Sequence, residues 1–404
     1  MQLERNKIWS VLFGIVSFLS IYASSSIISN ALYSNSMAVL FILTVYTGYK
    51  SSLKTIQLPD RFFSLVYFSF FVLLIVDALL LGQRDSLLLA LKYVYWSVVP
   101  FLVFYFSLQR YFQERTLIAG ISLGLFTLCS YGFYQFMIFP LGTRIKSYIY
   151  HPNAFAQFLI LSIPFLIVYL IHRKKRSAFS LAIGAVVLLS CFLLVLSGSR
   201  GAIVGFCLGG LLCLLVQLTL KKKLTVKMFR VILAVLLLMA ALGGVFAFNF
   251  ENTKLGAVRP YDHERVLLWQ SGCHMWQDHK LLGVGLNRWP EEYKEHYISP
   301  AAKEPNLKHP HNTCIYFFAT TGLLGGCGYL LFTFGVLVYV IIQLKKHPEN
   351  IFLSALLWTF LAVMIHGLVD SISKDELRLL NTYLGIALAS SAYETREEEK
   401  HPYA

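Results

Sequence analysis

Three short polar clusters interrupt an otherwise apolar chain, and each holds residue types able to do chemistry. His309-Pro310-His311-Asn312 offers two imidazoles. An imidazole titrates at about 6.5, so it can accept a proton near neutrality. Asn312 could orient that ring or a substrate hydroxyl. A histidine pair of this spacing also suits a metal ion, but no carboxylate or Cys nearby has ligand spacing. A polar helix cap with incidental histidines is the plainer alternative.

The second cluster is Ser197-Gly198-Ser199-Arg200-Gly201-Ala202. Its small residues end one apolar segment and start another, which puts Arg200 in a first helical turn. Backbone N–H groups and the helix dipole favour an anion there, and a guanidinium completes a phosphate-type site. An interfacial Arg reaching for water would give the same pattern.

The third runs from Tyr261-Asp262-His263-Glu264-Arg265 to Asp278-His279. Apolar residues at 266, 269, 273 and 276 predict an amphipathic helix on the membrane or on the helix bundle, with Arg265 near its start. Gly283-Val284-Gly285-Leu286-Asn287-Arg288-Trp289 follows. It fits neither the P-loop nor the dinucleotide pattern and reads as a turn. Two lesser features remain: His151-Pro152-Asn153 reads as a helix start, and His366 and Asp370 sit one helical turn apart.

These groups must be positioned by membrane helices. Only 14% of the 404 residues are charged and 57% are apolar. A soluble domain of that composition would lack a polar coat, whereas lipid tolerates an apolar surface. The expected fold is an all-α integral membrane protein, 1–404 forming one polytopic domain. Twelve apolar runs are long enough to span: 8–29, 33–49, 62–81, 87–107, 116–139, 153–171, 178–196, 200–220, 230–249, 312–343, 351–369 and 377–393. The first is too long for the core of a cleaved signal peptide. A large, partly helical loop, about 250–311, lies between predicted helices 9 and 10.

The net charge of +14 would point to nucleic acid in a soluble protein. Here most cations alternate by side. Arg5 and Lys7, Lys50 to Arg61, Arg110 and Arg115, Arg173 to Arg176, Lys221 to Arg230, Lys345 and Lys346, and Arg396 and Lys400 fall on one face. The short loops of the other face carry only Arg84, Arg144, Lys146, Arg200, Lys374 and Arg378. The positive-inside rule makes the first face cytoplasmic, with both termini there and the 250–311 loop outside. All three clusters then share the outer face. The seven cysteines show no zinc spacing and mostly sit in apolar runs; a disulfide between Cys273 and Cys314 is open.

Three segments together resemble the O-antigen ligase and O-antigen polymerase superfamily of bacterial membrane glycosyltransferases. They are Ser197–Ala202, Arg265–Trp269 through Gly283-Val284-Gly285, and His309–Asn312 followed by Gly322-Leu323-Leu324-Gly325. The motif region spans about 190–345; the layout of spans and outer loop resembles the family along the whole chain. The resemblance implies a metal-independent, inverting glycosyl transfer without a cofactor, at the periplasmic face of the inner membrane. The implied donor is a glycan on undecaprenyl diphosphate, and the implied acceptor a lipid A–core sugar hydroxyl. It also implies His311 as base and Arg200 and Arg265 as donor-diphosphate ligands. Arg288 follows by position only, and His309, Asn312 and Asp370 support. A surface-polysaccharide polymerase using the same donor is the nearest alternative, and a protein O-oligosaccharyltransferase a third. A lipid-linked glycan transporter is the alternative of another class; it would be expected to show broken helices near the midplane.

Overall fold

The computed structural model describes residues 2–50, 57–140, 142–173, 177–223, 225, 228 and 260–400. Among these residues the fold is all-helical. Eight helices come first: α1 (Gln2–Ser26), α2 (Asn30–Lys50), α3 (Arg61–Leu80), α4 (Arg84–Leu108), α5 (Glu114–Ile138), α6 (Pro152–His172), α7 (Ala178–Leu196) and α8 (Arg200–Leu220). After the undescribed stretch come α9 (Pro260–Asp278), the short α10 (Trp289–Glu292) and a π turn at Tyr293–Tyr297. The chain ends with α11 (Thr313–Lys346), α12 (Ile351–His366) and α13 (Lys374–Lys400).

Nine of the described helices, α1 to α8 and α11, are long and apolar enough to cross a membrane. The expected span at 230–249 lies outside the described residues. The other two expected spans are helices of a different kind. α12 has 16 residues, about 24 Å of helix, so it is short for a bilayer core. α13 has a buried apolar middle, Leu379 to Ala389, but also buried Asn381, Thr382, Ser390 and Ser391. Tyr67 donates to the Asn381 amide oxygen at 2.7 Å, and Tyr33 and the Thr382 hydroxyl pair at 3.2 Å. A helix enclosed by protein can keep such groups because its neighbours satisfy them.

The same logic sorts the apolar spans. In α6, 83% of the most apolar window is buried, against 17% in α8. A helix that is apolar on every side belongs at the centre of a bundle, and α6 is there. Principal packing pairs are α8 with α12, α4 with α13, α1 with α5, and α3 with α11. α8 approaches α12 through glycines. A Cβ on Gly205 would stand 2.5 Å from the Ala362 carbonyl oxygen, and one on Gly209 would stand 2.7 Å from the Ala362 nitrogen. Small residues let two backbones come this close.

The glycine turn at 283–285 proves to be a structural clasp. α11 is broken at Gly322, where the backbone turns to φ 56°. The turn fills the break. Val284 and Gly285 donate N–H groups to the Ala319 and Thr320 carbonyls at 3.0 and 2.9 Å, and Leu323 donates to Lys280 at 2.8 Å. Backbone groups freed by the break are thereby paired again. A small second core of Leu268, Met275, Val284, Trp289, Tyr293 and Ala319 seals the contact.

α9 buries a stripe shifted from the one its apolar residues predict, although Trp269 and Trp276 of that stripe are half-buried. Val266 and Cys273 are exposed, while Leu267, Leu268, Ser271, Gly272 and Met275 face inward. A Cβ on Gly272 would lie 2.4 Å from Ile315. Close approach to α11 selects the face with small residues, and hydrophobicity alone does not rank the two.

Candidate functional site

α12 delivers the site's carboxylate. Past His366 the chain leaves the helix, and Asp370 lies in the turn before α13. The start of α11 is fastened to that turn: Thr313 N–H donates to the Gly367 carbonyl at 2.8 Å and its hydroxyl to the Asp370 carbonyl at 3.2 Å. Asn312 does both things expected of a cap and an anchor. Its Oδ1 accepts from Ile315 N–H at 3.0 Å, and its Nδ2 donates to Leu368 at 2.9 Å.

This lashing places His311 against Asp370, with Nδ1 and Oδ1 3.0 Å apart. His311 has φ 52°. A side-chain-bearing residue in that region costs on the order of 1–3 kcal/mol, so the surrounding bonds hold the ring where helix geometry would not. The other Asp370 oxygen accepts from Asn153 Nδ2 at 2.7 Å, and Ser371 N–H donates to Oδ1 at 2.9 Å. Burial works against the charge of Asp370. The His311 bond, the nearby His366 and the Ser371 N–H outweigh it and hold the carboxyl below the usual carboxylate range. His366 is buried, its Nε2 3.9 Å from Asp370 Oδ2.

His309 packs edge-on against His311, ring centres 4.5 Å apart. Burial first, and the neighbouring His311 ring second, lower its pKa to about 4, so it stays neutral at physiological pH. His309, His311 and Asp370 each offer one ligand atom, all within 4.8 Å of one another. Two imidazoles and a carboxylate form a zinc-type ligand set. The His311–Asp370 hydrogen bond equally accounts for two of its members.

A cavity of about 740 Å³ opens over this group, a size suited to a small-molecule site. Its lining joins distant segments: Arg144, His151 and Asn153; Arg200 and Gly201; Glu264 and Arg265; Lys308, His309 and His311; and His366 and Asp370. Arg200 opens α8, and the Ser199 side chain makes no capping bond there. Close packing brings that turn onto the end of α12, since a Cβ on Gly201 would lie 2.5 Å from Val369 and 3.2 Å from His366. Beside Arg265 in the chain, Glu264 is a buried carboxylate. Glu264 accepts from the N–H groups of Lys303 and Glu304 at 2.8 and 3.0 Å. The segment leading to the histidines is thus pinned to α9.

The structure therefore gathers Arg200, Arg265, His309, His311 and Asp370 around one space. Asn312 supports from behind. Arg288 lies outside the lining, paired with Glu291 at 3.1 Å and Glu292 at 3.7 Å. Arg144, His151 and Asn153 line the cavity although sequence reasoning did not place them in the site. One signal was present for Arg144: it is a cation in a short loop of the face that carries few. The His151 ring accepts from Asn153 N–H at 3.2 Å as the cap of α6. Burial lowers its pKa, with Asp370 opposing. Cys273 and Cys314 are free thiols, as are the other five cysteines.

Fold and site define a multi-pass helical membrane protein with a polar cavity at one end of its bundle. Residues 185–330 match the family model described as O-antigen ligase. That segment is similar to the O-antigen ligase family, which supports a function of the ligase or polymerase type in general. No curated protein matches the chain.

Proposed function

We propose that this protein transfers a glycan from undecaprenyl diphosphate to a sugar hydroxyl of a lipid A–core acceptor. The observation that carries this reading is the shared cavity: two arginines from separate segments and a His–Asp pair line one space. Arg200 and Arg265 hold the donor diphosphate. The acceptor oxygen attacks the anomeric carbon from the side opposite the phosphate, which inverts the configuration. The bond between that carbon and the phosphate oxygen breaks, and its electron pair leaves with the lipid diphosphate. Guanidinium groups aimed at the leaving group stabilise its growing charge. The acceptor proton passes to His311. With Nδ1–H directed at Asp370, the lone pair of Nε2 is the basic site. A base so placed contributes roughly 10²–10⁴-fold.

In this reading no metal takes part, both termini are cytoplasmic and the cavity faces the periplasm. The cation distribution supports that orientation. The matching family model supports the ligase or polymerase type without separating the two. The broken helix α11 is a feature expected of a transporter, but its freed backbone groups at 319, 320 and 323 bond the 280–285 turn.

The test is glycan analysis of a deletion strain complemented with wild type or His311→Ala. Ligase function predicts free core and polymer retained on the lipid carrier in both the deletion strain and the His311→Ala strain. Core bearing a single repeat unit would instead identify a polymerase. Normal transfer by a well-inserted His311→Ala protein removes the base assignment. Loss of purified activity on chelation would reassign His309, His311 and Asp370 as a metal centre.

A further inference from the structure

We propose that Arg144, acting through Asn153, is a positioning residue for the His311–Asp370 pair and ties it to the turn that presents Arg200. The inference rests on the reading of His311 as base. Arg144 belongs to the segment between α5 and α6 and bonds two other elements. Its Nε donates to the Ser197 carbonyl at 2.7 Å, at the end of α7 and three residues before Arg200. One of its terminal nitrogens donates to Asn153 Oδ1 at 2.6 Å. Asn153 is buried, and its Nδ2 donates to Asp370 Oδ2 at 2.7 Å. Asp370 Oδ1 is then the oxygen that meets His311.

The chemistry of each partner fixes the direction of this chain. A guanidinium has donors only, so the amide must turn its oxygen toward Arg144. The amide's N–H groups must then face the carboxylate, which accepts. A carboxylate engaged on both oxygens cannot rotate away from His311. His311 donates from Nδ1, which leaves Nε2 unprotonated for the acceptor hydroxyl. Without Arg144 the Asn153 amide could flip and oppose its oxygen to Asp370. The same arginine fixes the Ser197 carbonyl, so the donor-binding turn and the base are held by one side chain. Buried hydrogen-bond chains of this kind act as a unit.

The experiment measures the pH dependence of transfer from a lipid-linked donor by purified full-length protein. Asn153→Ala, Arg144→Lys, the double variant and His311→Ala are compared. Lys keeps the charge but lacks the fork that reaches both partners. Asn153→Ala is expected to lower kcat by on the order of ten- to a hundredfold, within the range general-base catalysis supplies. Donor KM should change little. Removing a donor from Asp370 concentrates its charge and favours the imidazolium, so the acidic limb of the profile should move to higher pH. His309, His366, His151 and Arg265 also surround the pair and are unchanged in these variants. In kcat the double variant should be no worse than Asn153→Ala, because the two residues act in series on His311, while loss of the Ser197 bond falls on donor KM. Unmoved profiles, additive losses in kcat, or a raised donor KM with unchanged kcat in Arg144→Lys would overturn the proposal; the last would make Arg144 a direct phosphate ligand. An active His311→Ala protein would instead sink the base reading on which it rests.

Discussion

His311 shows how much a single residue can depend on its neighbours. Its backbone conformation is unfavourable for an L-residue, and Asp370 and the Asn312 anchor hold it there. The arginines act by shape as well as charge. Arg200→Lys and Arg265→Lys are each expected to reduce transfer at least tenfold, because a point charge replaces a bidentate fork. Donor turnover at the wild-type rate in both would remove the diphosphate role. His309 makes a separate prediction. Its folded pKa is about 4, below the unfolded value of about 6.5. Between these values the unfolded chain takes up a proton that the native protein refuses, so stability falls as pH drops from about 6.5 to about 4. His309→Leu should reduce the fall of the melting temperature across that interval, the remainder belonging to His151 and His366. Asp370, whose pKa is lowered, loses its contribution only at more acidic pH. An unchanged acid slope in His309→Leu would exclude His309 as the titrating group.

The helices matter mainly through where they stop and how close they come. α12 ends early enough to leave Asp370 in a turn that the start of α11 can bind. The Gly205 and Gly209 contacts let α8 lie against α12, and this brings Arg200 to the cavity that Asp370 also lines. The clasp at Gly283 has no slack: with φ 65°, an added Cβ would sit 2.4 Å from the backbone of Thr320 and Thr321. Gly283→Val should therefore destabilise the protein by about 2 kcal/mol or more and impair transfer although no reacting group is touched. A wild-type melting temperature would mean the clasp is dispensable. The hydropathy that reveals α11 as a span gives no sign of its break. Gly322 is one of several glycines there, and only the 280–285 turn makes it the hinge.

For the molecule as a whole, sidedness is the property most open to a direct test. Cys273 is an exposed thiol in the segment between α8 and α11. In the proposed orientation a membrane-impermeant maleimide should label it in intact spheroplasts, and Cys273→Ser should remove that signal. Labelling only after lysis would invert the topology. The membrane character, most of the helices and the polar clusters were legible in the sequence because each depends on local composition. A run of about 20 apolar residues spans whatever its neighbours do. His311, Arg200, Arg265 and Asp370 stood out as polar groups with no topological reason to be there. What sequence alone could not decide was contact between segments far apart in the chain. Asn153 read as part of a helix start, and Arg144 as a stray loop cation, until folding set them 2.6 Å apart and next to Asp370. Arg288, a weaker candidate by position only, pairs with its own helix-start carboxylates instead. Local chemistry chose the candidates; the close packing of α6, α8, α11 and α12 chose which of them share a cavity.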